Sequence, residues 1–349
     1  MITKIQGDLL KSQSQALVNT VNCVGVMGKG VALQFKKAFP ENCKAYEKAC
    51  KASLVQPGKM FTFDAGTLMQ TRWIINFPTK RHWRGGSRME DVEAGLTALV
   101  EEVRRLKIKS IAIPPLGCGN GGLDWNQVRP RIEQAFAKLP DVDVQLFEPV
   151  GAPQSERMTN RTGKPHLTLA RALFIKLLDL YKMADYQLSR LEIQKLAYFL
   201  QSAGEPLRLD FEAHKFGPYA HNLNHVLSRL EGHYIRGFGD NSEKADSASI
   251  SLMPDAVVEA QRFLEEHGEK QSLARLDKVQ RLIEGFETPY GMELLATVHW
   301  VSMHVENPPA SVKEAIPRVQ EWSARKAELF TPKHIQKTYQ RLLECGWLQ

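Results

Sequence analysis

The sequence has few cysteines and no pattern of metal-ligating residues. Its 349 residues include five cysteines, an odd number, and none are spaced as Cys-x-x-Cys. Neither a disulfide framework nor a structural zinc site is indicated, and we expect reduced thiols. No group of His, Cys and Asp residues has metal-ligand spacing either. We therefore predict a site that uses no metal and no cofactor.

Long apolar runs are also missing. No run could span a bilayer, and no basic segment is followed by an apolar leader. With 43% hydrophobic and 24% charged residues, the composition is that of a soluble protein. We expect a cytoplasmic protein with no membrane partner. Because single cores usually stop growing near ~250–300 residues, the length predicts two domains.

The net charge of +7 belongs to the first half of the chain. Residues 1–155 hold 21 Lys and Arg against 14 Asp and Glu, whereas residues 156–349 hold 25 of each. A basic half indicates an anionic partner such as nucleic acid. A solvated basic surface is the alternative.

A breaker-rich linker at 151–166 separates two patterns, which defines domains at 1–150 and 167–349. In the first, short β-rich runs alternate with helical segments, which predicts an α/β sandwich with a mixed sheet. Its strands are expected at 2–5, 16–21, 60–63, 73–77, 110–113 and 142–147, and its helices near 31–38, 90–107 and 127–138. After the linker, apolar residues recur at helical spacing, so the second domain should be mainly α-helical. Its helices are expected at 167–183, 191–202, 220–230, 256–267, 292–305, 312–324 and 333–345.

Two glycine-rich turns are the most informative feature of the first domain. They cover residues 22–31 (NCVGVMGKGV) and 114–122 (PPLGCGNGG). Each follows a predicted strand, so each can direct backbone N–H groups at an anion, and a helix follows each turn. Together they can cradle a diphosphate.

Two polar side chains follow the first two strands. The carboxylate of Asp8 can accept a hydrogen bond from an exocyclic amine such as that of adenine, or it can cap a turn. The amide of Asn22 can bind sugar hydroxyls, or it can close its own turn. The sequence leaves both alternatives open.

Four segments in this order resemble the macrodomain family, which binds ADP-ribose. They are Gly7-Asp8, residues 18–22 (VNTVN), residues 28–32 (GKGVA) and residues 116–119 (LGCG). The resemblance covers residues 1–150 and implies that Asp8 contacts adenine, that Gly117–Gly121 surrounds the diphosphate, and that Asn22 with Gly28–Val31 lines the distal ribose. The implied ADP-ribose-binding residues are Asp8, Leu9, Thr20, Val21, Asn22, Gly28, Lys29, Gly30, Val31, Thr79, Leu116, Gly117, Cys118, Gly119, Asn120 and Gly121.

The segment Asn76-Phe77-Pro78-Thr79-Lys80 is similar to the glycohydrolase branch of this family that uses a catalytic lysine. That likeness implies that Lys80 removes ADP-ribose from a thymine base in single-stranded DNA, which reverses the mark made by a DarT-like toxin. A lysine can protonate the departing base, or it can attack ribose C1 and form a Schiff base. The sequence does not decide between these roles.

The chain departs from one relative in the second glycine-rich turn. An animal relative with a catalytic lysine carries an aspartate at the position of Gly121. Asp124 is a candidate substitute, and a helix cap is its alternative role.

A basic loop with an indole follows the lysine, at residues 81–88 (RHWRGGSR). Cationic side chains follow phosphates and aromatic rings stack on unpaired bases, so Arg81, Trp83 and Arg84 are predicted DNA contacts. A surface loop before the next helix is the alternative.

The second domain contains an amphipathic helix at 191–201 and the segment 215–220 (KFGPYA), whose apolar residues indicate core packing. These stretches resemble a helical domain shared by several antitoxins, which implies that residues 167–349 bind the DarT-like toxin. The acidic stretch 231–269 fits the toxin's DNA groove or is a solvated face. Other functions in view are a protein de-ADP-ribosylase, an ADP-ribose reader and a nucleic-acid-binding regulator.

Overall fold

The computed structural model describes residues 1–66, 71–149, 159–181, 188–238 and 249–348. The described residues form two compact units, one within Met1–Gly163 and the other from Lys164 onward. Half of the expected linker, residues 151–158, lies outside the described residues. The domain boundaries therefore remain a prediction.

The first unit is built on a six-stranded sheet with the order β1-β6-β5-β2-β4-β3. Five strands run parallel, and the edge strand β3 runs antiparallel to β4. The strands are β1 (Ile2–Ile5), β2 (Ala16–Asn22), β3 (Phe61–Asp64), β4 (Trp73–Lys80), β5 (Ser110–Ile113) and β6 (Asp143–Phe147). The mixed sheet is as predicted.

Helices cover both faces of this sheet. They are α1 (Gly30–Ala38), α2 (Pro40–Lys51), α3 (Met89–Arg105) and α4 (Trp125–Phe136). The sequence did not predict α2. Its proline stands at the first helical position, where a missing N–H is harmless, and Tyr46 is its fully buried anchor.

Successive side chains of β2 point to opposite faces of the sheet, so the core of this unit has two parts. Ala16 and Val18 pack with residues of α3 and α4, whereas Leu17 packs on the other face with Phe35 of α1. On the α3 side, a Cβ at Gly95 would overlap the Phe77 ring. Overpacking of this kind costs about 1–3 kcal/mol, so the glycine sets how closely α3 approaches β4.

The second unit is mainly helical, as predicted. Its helices are α5 (Leu169–Tyr181), α6 (Arg190–Ser202), α7 (Leu223–Leu230), α8 (Pro254–His267), α9 (Lys270–Ile283), α10 (Pro289–Met303), α11 (Val312–Glu321), α12 (Ala324–Leu329) and α13 (Pro332–Glu344). Five short strands accompany them: β7 (Leu188–Ser189), β8 (Phe211–His214), β9 (Gly217–Ala220), β10 (Ile235–Arg236) and β11 (Ser249–Leu252). Within the described ranges, no helix combines the length and the hydropathy needed to cross a bilayer.

A buried polar cluster attaches the β8–β9 hairpin to this helical core. The Lys195 amine of α6 donates to the Pro218 carbonyl at 2.6 Å, and the Lys326 amine donates to Glu293 of α10 at 2.7 Å. Burial, followed by the charge of Lys326, lowers the pKa of Lys195 to about 7. The segment 215–220 therefore has the structural role that its apolar pattern indicated.

Candidate active site

Three neighbouring parallel strands end at the same edge of the sheet and supply the candidate site. The central strand β2 leads into the first glycine-rich turn, β5 leads into the second, and β4 ends at Lys80. The chain leaves β2 toward β4 and β3 but leaves β5 toward β6, so the strand order reverses here and a crevice is expected between the two turns. Such a switch point is where open α/β sheets bind ligands.

A bulge brings Lys80 beside Asn22. Val21 pairs with Pro78, but the next residue of β2, Asn22, pairs with Lys80 and skips Thr79. Proline has no N–H for the ladder, so a bulge is where a proline fits inside a central strand.

The first glycine-rich turn is closed by the Asn22 side chain. Its Nδ2 donates to the Val26 carbonyl at 2.6 Å, while its Oδ1 accepts from the N–H groups of Val24 and Val26 at 3.0 and 3.3 Å. The Tyr46 hydroxyl donates to the Asn22 carbonyl at 2.5 Å. The structure thus shows the turn-closing arrangement, and contact with a sugar remains a prediction.

The turn ends where α1 begins, at Gly30 with φ of +57°. Lys29 precedes the helix and gives it no side-chain cap in the described structure. The first N–H groups of a helix have no partner within that helix. This helix end therefore has donors available for an anion.

The second glycine-rich turn is held by its own backbone. The N–H of Cys118 donates to Pro115, and the N–H of Leu123 donates to Gly117, at 3.2 and 3.1 Å. Gly117 has φ of +72°, and a Cβ at Gly121 would overlap the Gly117 carbonyl oxygen. Position 121 therefore cannot hold a side chain in this conformation.

Asp124 has the capping role that was its alternative in the sequence. Its Oδ1 accepts from the N–H of Asn126 at 2.9 Å and caps the N-terminus of α4. Asp8 also caps a turn, since its Oδ1 accepts from the N–H of Leu10 at 3.0 Å. Its Oδ2 has no hydrogen bond among the residues described, so it remains an acceptor for an amine.

Lys80 lies between the two turns and is half-buried. Its amine donates to the Asn120 carbonyl of the second turn, and its own carbonyl accepts from the Cys23 thiol of the first at 3.4 Å. Burial lowers the pKa of the Lys80 amine, and the charge of Lys29 lowers it further. The strand end therefore places an amine with a depressed pKa in the crevice.

The other predicted ligand residues surround this crevice in two groups. Side chains of the first group are buried in the core: Leu9, Val21, Thr79 and Leu116. Residues of the second group are exposed or half-buried: Thr20, Gly28, Lys29, Gly30, Val31, Cys118, Gly119, Asn120 and Gly121. Gly117 is buried within its turn. Direct contact with a ligand is thus easier for the second group.

The three predicted DNA contacts of the basic loop have different surroundings. Trp83 is 46% exposed, and the Arg84 guanidinium lies over its ring at 4.6 Å. Arg81 instead makes two hydrogen bonds, at 3.1 and 2.9 Å, to the buried carboxylate of Asp91. Arg81 therefore has a structural bond that the sequence did not indicate, while Trp83 and Arg84 face solvent.

A family model and several known proteins match this chain in sequence. A model of the Macro domain matches residues 18–132. A relative from Thermus aquaticus named DNA ADP-ribosyl glycohydrolase is 50% identical over 350 residues, with coverage of 100% of this chain and 95% of the relative. One of the same name from Mycobacterium tuberculosis is 42% identical, with coverage of 98% and 99%. The chain belongs to the DNA ADP-ribosyl glycohydrolase family.

Among solved structures, the macrodomain of Mycobacterium tuberculosis DarG is 57% identical. The match covers 43% of this chain and 98% of that one, with a TM-score of 0.42. The resemblance that the motifs indicated is confirmed by the full-length relatives of the glycohydrolase family.

Sequence reasoning missed a buried amide network that joins β2, β4 and α2. Asn19 Nδ2 donates to Asn76 Oδ1 at 2.9 Å, and Asn76 Nδ2 donates to Asn42 Oδ1 at 2.7 Å. All three residues are fully buried. The available signal was an asparagine inside each of two apolar strands, since buried polar groups need partners.

We predict that Lys29→Gln raises the pKa of Lys80, because it removes a nearby positive charge. The pH dependence of acetylation of Lys80, followed by mass spectrometry, measures this pKa. Lys29→Arg is the matched control, since it keeps the charge and should leave the pKa as in the native protein. An unchanged pKa in Lys29→Gln would contradict the electrostatic account.

Proposed function

We propose that this protein removes ADP-ribose from thymidine bases of single-stranded DNA, with Lys80 as the catalytic residue. We also propose that residues 167–349 bind and inhibit the DarT-like toxin that adds this mark. The observation that carries the first proposal is the Lys80 amine, held at a strand end between two glycine-rich turns. The names of the full-length relatives support the same reaction class.

The crevice suits ADP-ribose from one end to the other. The second turn and the uncapped start of α1 offer N–H groups to a diphosphate. Asp8 offers an acceptor to the amine of adenine, at the end of β1. Lys80 then lies at the distal ribose, where the bond to thymine breaks.

The depressed pKa of Lys80 favours its role as a nucleophile. A neutral amine attacks ribose C1, and the electron pair of the bond from C1 to the thymine ring nitrogen leaves with the base, which takes up a proton from the amine. The bond from C1 to the ribose ring oxygen then opens, the second amine proton passes to that oxygen, and a Schiff base forms between C1 and the lysine nitrogen. Water then hydrolyses the Schiff base and releases ADP-ribose and the amine. A bound diphosphate opposes this by favouring the charged amine, which is the form that acts as general acid.

We expect Lys80→Ala to abolish hydrolysis and to retain binding, because the alanine removes the reacting amine and leaves both glycine-rich turns in place. The assay is release of ADP-ribose from a thymidine-modified oligonucleotide, with binding measured by calorimetry. Lys51→Ala, at the exposed end of α2, is the control and should hydrolyse normally. Undiminished hydrolysis by Lys80→Ala would refute the catalytic assignment.

Borohydride added during turnover separates the two roles of the lysine. The nucleophilic route yields a reduced covalent adduct at Lys80, detectable by peptide mass spectrometry. A fully active enzyme that forms no adduct would assign the general-acid role instead.

The exposed indole of Trp83 with its stacked arginine supports the single-stranded DNA substrate. An unpaired base stacks on such a ring for about 1–3 kcal/mol, and the guanidinium attracts phosphate. A thymine modified on its pairing edge is reached only when it is unpaired or extruded.

We predict that Trp83→Ala with Arg84→Ala raises KM for the DNA-linked substrate by about 5- to 150-fold, the equivalent of losing one stacked base. Affinity for free ADP-ribose should not change, because neither side chain lies in a glycine-rich turn. Arg104→Ala, an exposed arginine of α3, is the control. Equal losses for both ligands would speak against a DNA contact.

The toxin-binding proposal is supported by exposed acidic residues on α8 and at the start of α9. Within the acidic stretch, Asp255, Glu265, Glu266 and Glu269 are exposed. By contrast, Glu231 is buried and accepts from the N–H of Phe238 at 2.9 Å. Residues 239–248 of the stretch lie outside the described residues. An acidic helix can occupy a basic groove that otherwise holds DNA.

We predict that full-length Lys80→Ala still blocks DNA modification by the toxin at equimolar concentration, because inhibition depends on the second unit. Charge reversal of Asp255, Glu265 and Glu269 to lysine should weaken this block and leave hydrolysis unchanged. The readout is incorporation of labelled ADP-ribose into DNA. A toxin that remains fully active beside Lys80→Ala would show that hydrolysis alone protects DNA.

A further inference from the structure

A buried hydroxyl without a hydrogen bond lies against the second glycine-rich turn. In the described part of the chain, five buried side-chain atoms have no hydrogen-bond partner: Asn19 Oδ1, Ser87 Oγ, Arg129 Nε, Arg190 Nε and Trp347 Nε1. Among these atoms, Ser87 Oγ is the hydroxyl, and its residue lies between the basic loop and α3. An unsatisfied buried donor is unfavourable, so its persistence calls for an explanation.

Ser87 is fitted closely to this turn. Its N–H donates to the Gly121 carbonyl at 2.9 Å. Its Oγ would lie 3.0 Å from a Cβ at Gly117, and a Cβ at Gly121 would overlap both this Oγ and the Gly117 carbonyl oxygen. The Ser87 hydroxyl and the Gly117 carbonyl oxygen therefore border the space that a Cβ at Gly121 would fill. Because residues 117 and 121 are both glycines, this space stays open.

Two contacts with other parts of the site hold this turn in the free protein. One is the bond from the Ser87 N–H to Gly121, and the other runs from the Lys80 amine to the Asn120 carbonyl. If Lys80 reacts at ribose C1, as the proposed function requires, we expect its amine to turn from Asn120 toward that carbon. The turn then loses one hydrogen bond at the moment when it surrounds the diphosphate.

We propose that Ser87 is a positioning residue that replaces this lost bond. Its hydroxyl donates to the Gly117 carbonyl when the turn closes over the diphosphate. Gly117 already accepts from the N–H of Leu123 at 3.1 Å, and a carbonyl oxygen has a second lone pair for the hydroxyl. Lys80 is thereby released without loosening the turn, whose N–H groups stay directed at the ligand.

The proposal rests on the proposed function and predicts opposite effects of Ser87→Ala on stability and on binding. Since the hydroxyl has no partner in the free protein, its removal should leave the melting temperature unchanged or raise it. Affinity for ADP-ribose should fall by about 2- to 12-fold, the value of one hydrogen bond between uncharged groups. KM for modified DNA should rise by the same factor, with kcat little changed.

Ser110→Ala is the matched control, because the Ser110 hydroxyl accepts from the N–H of Gln15 at 2.9 Å. It should lower the melting temperature and leave affinity for ADP-ribose unchanged. Calorimetric titration with ADP-ribose and thermal unfolding of the full chain give both readouts. Unchanged affinity in Ser87→Ala, or a lowered melting temperature, would overturn the role of Ser87 alone. Absence of ADP-ribose binding by the native protein would overturn the proposed function as well.

Discussion

The site depends on the irregular pairing between β2 and β4. Because Pro78 has no N–H, the ladder breaks after Val21, and Thr79 is passed over so that Lys80 lies beside Asn22. A shift of one residue along a strand moves a side chain to the opposite face of the sheet. Without the bulge, the Lys80 side chain would follow the regular alternation of the strand. The bulge instead directs it toward the glycine-rich turns.

The elements around the crevice are connected to one another rather than independent. Lys80 contacts the second turn through Asn120 and the first through Cys23, and Ser87 links the second turn to the basic loop. Arg81 fixes the start of that loop to α3 through Asp91. The carboxylate of Asp91 is buried, so losing the arginine would leave an unpaired charge in the interior. The two turns, the basic loop and α3 are thus joined by hydrogen bonds of Lys80, Ser87 and Arg81.

The sequence predicts the strands of this fold better than its close contacts. Alternation and glycine-rich turns indicate the six strands and the edge where the site lies, but α2 begins at Pro40, which reads as a breaker. Local sequence also cannot tell how the Asn22 amide is used, since both alternatives fit the same turn. The exclusion of a side chain at Gly121 comes from Ser87 and Gly117, and a contact between distant residues leaves no periodic signal. Arg81 is similar, because a basic loop does not reveal which cation pairs with a buried carboxylate.

The amide network of Asn19, Asn76 and Asn42 has a consequence for how the fold responds to pH. Carboxamides do not ionise in the pH range in which proteins fold, so the hydrogen bonds that join β2, β4 and α2 persist as the pH changes. A frame built from carboxylates and imidazoles would rearrange whenever one of them ionised. Here the strand that ends at Lys80 is held to its neighbours by side chains that do not titrate.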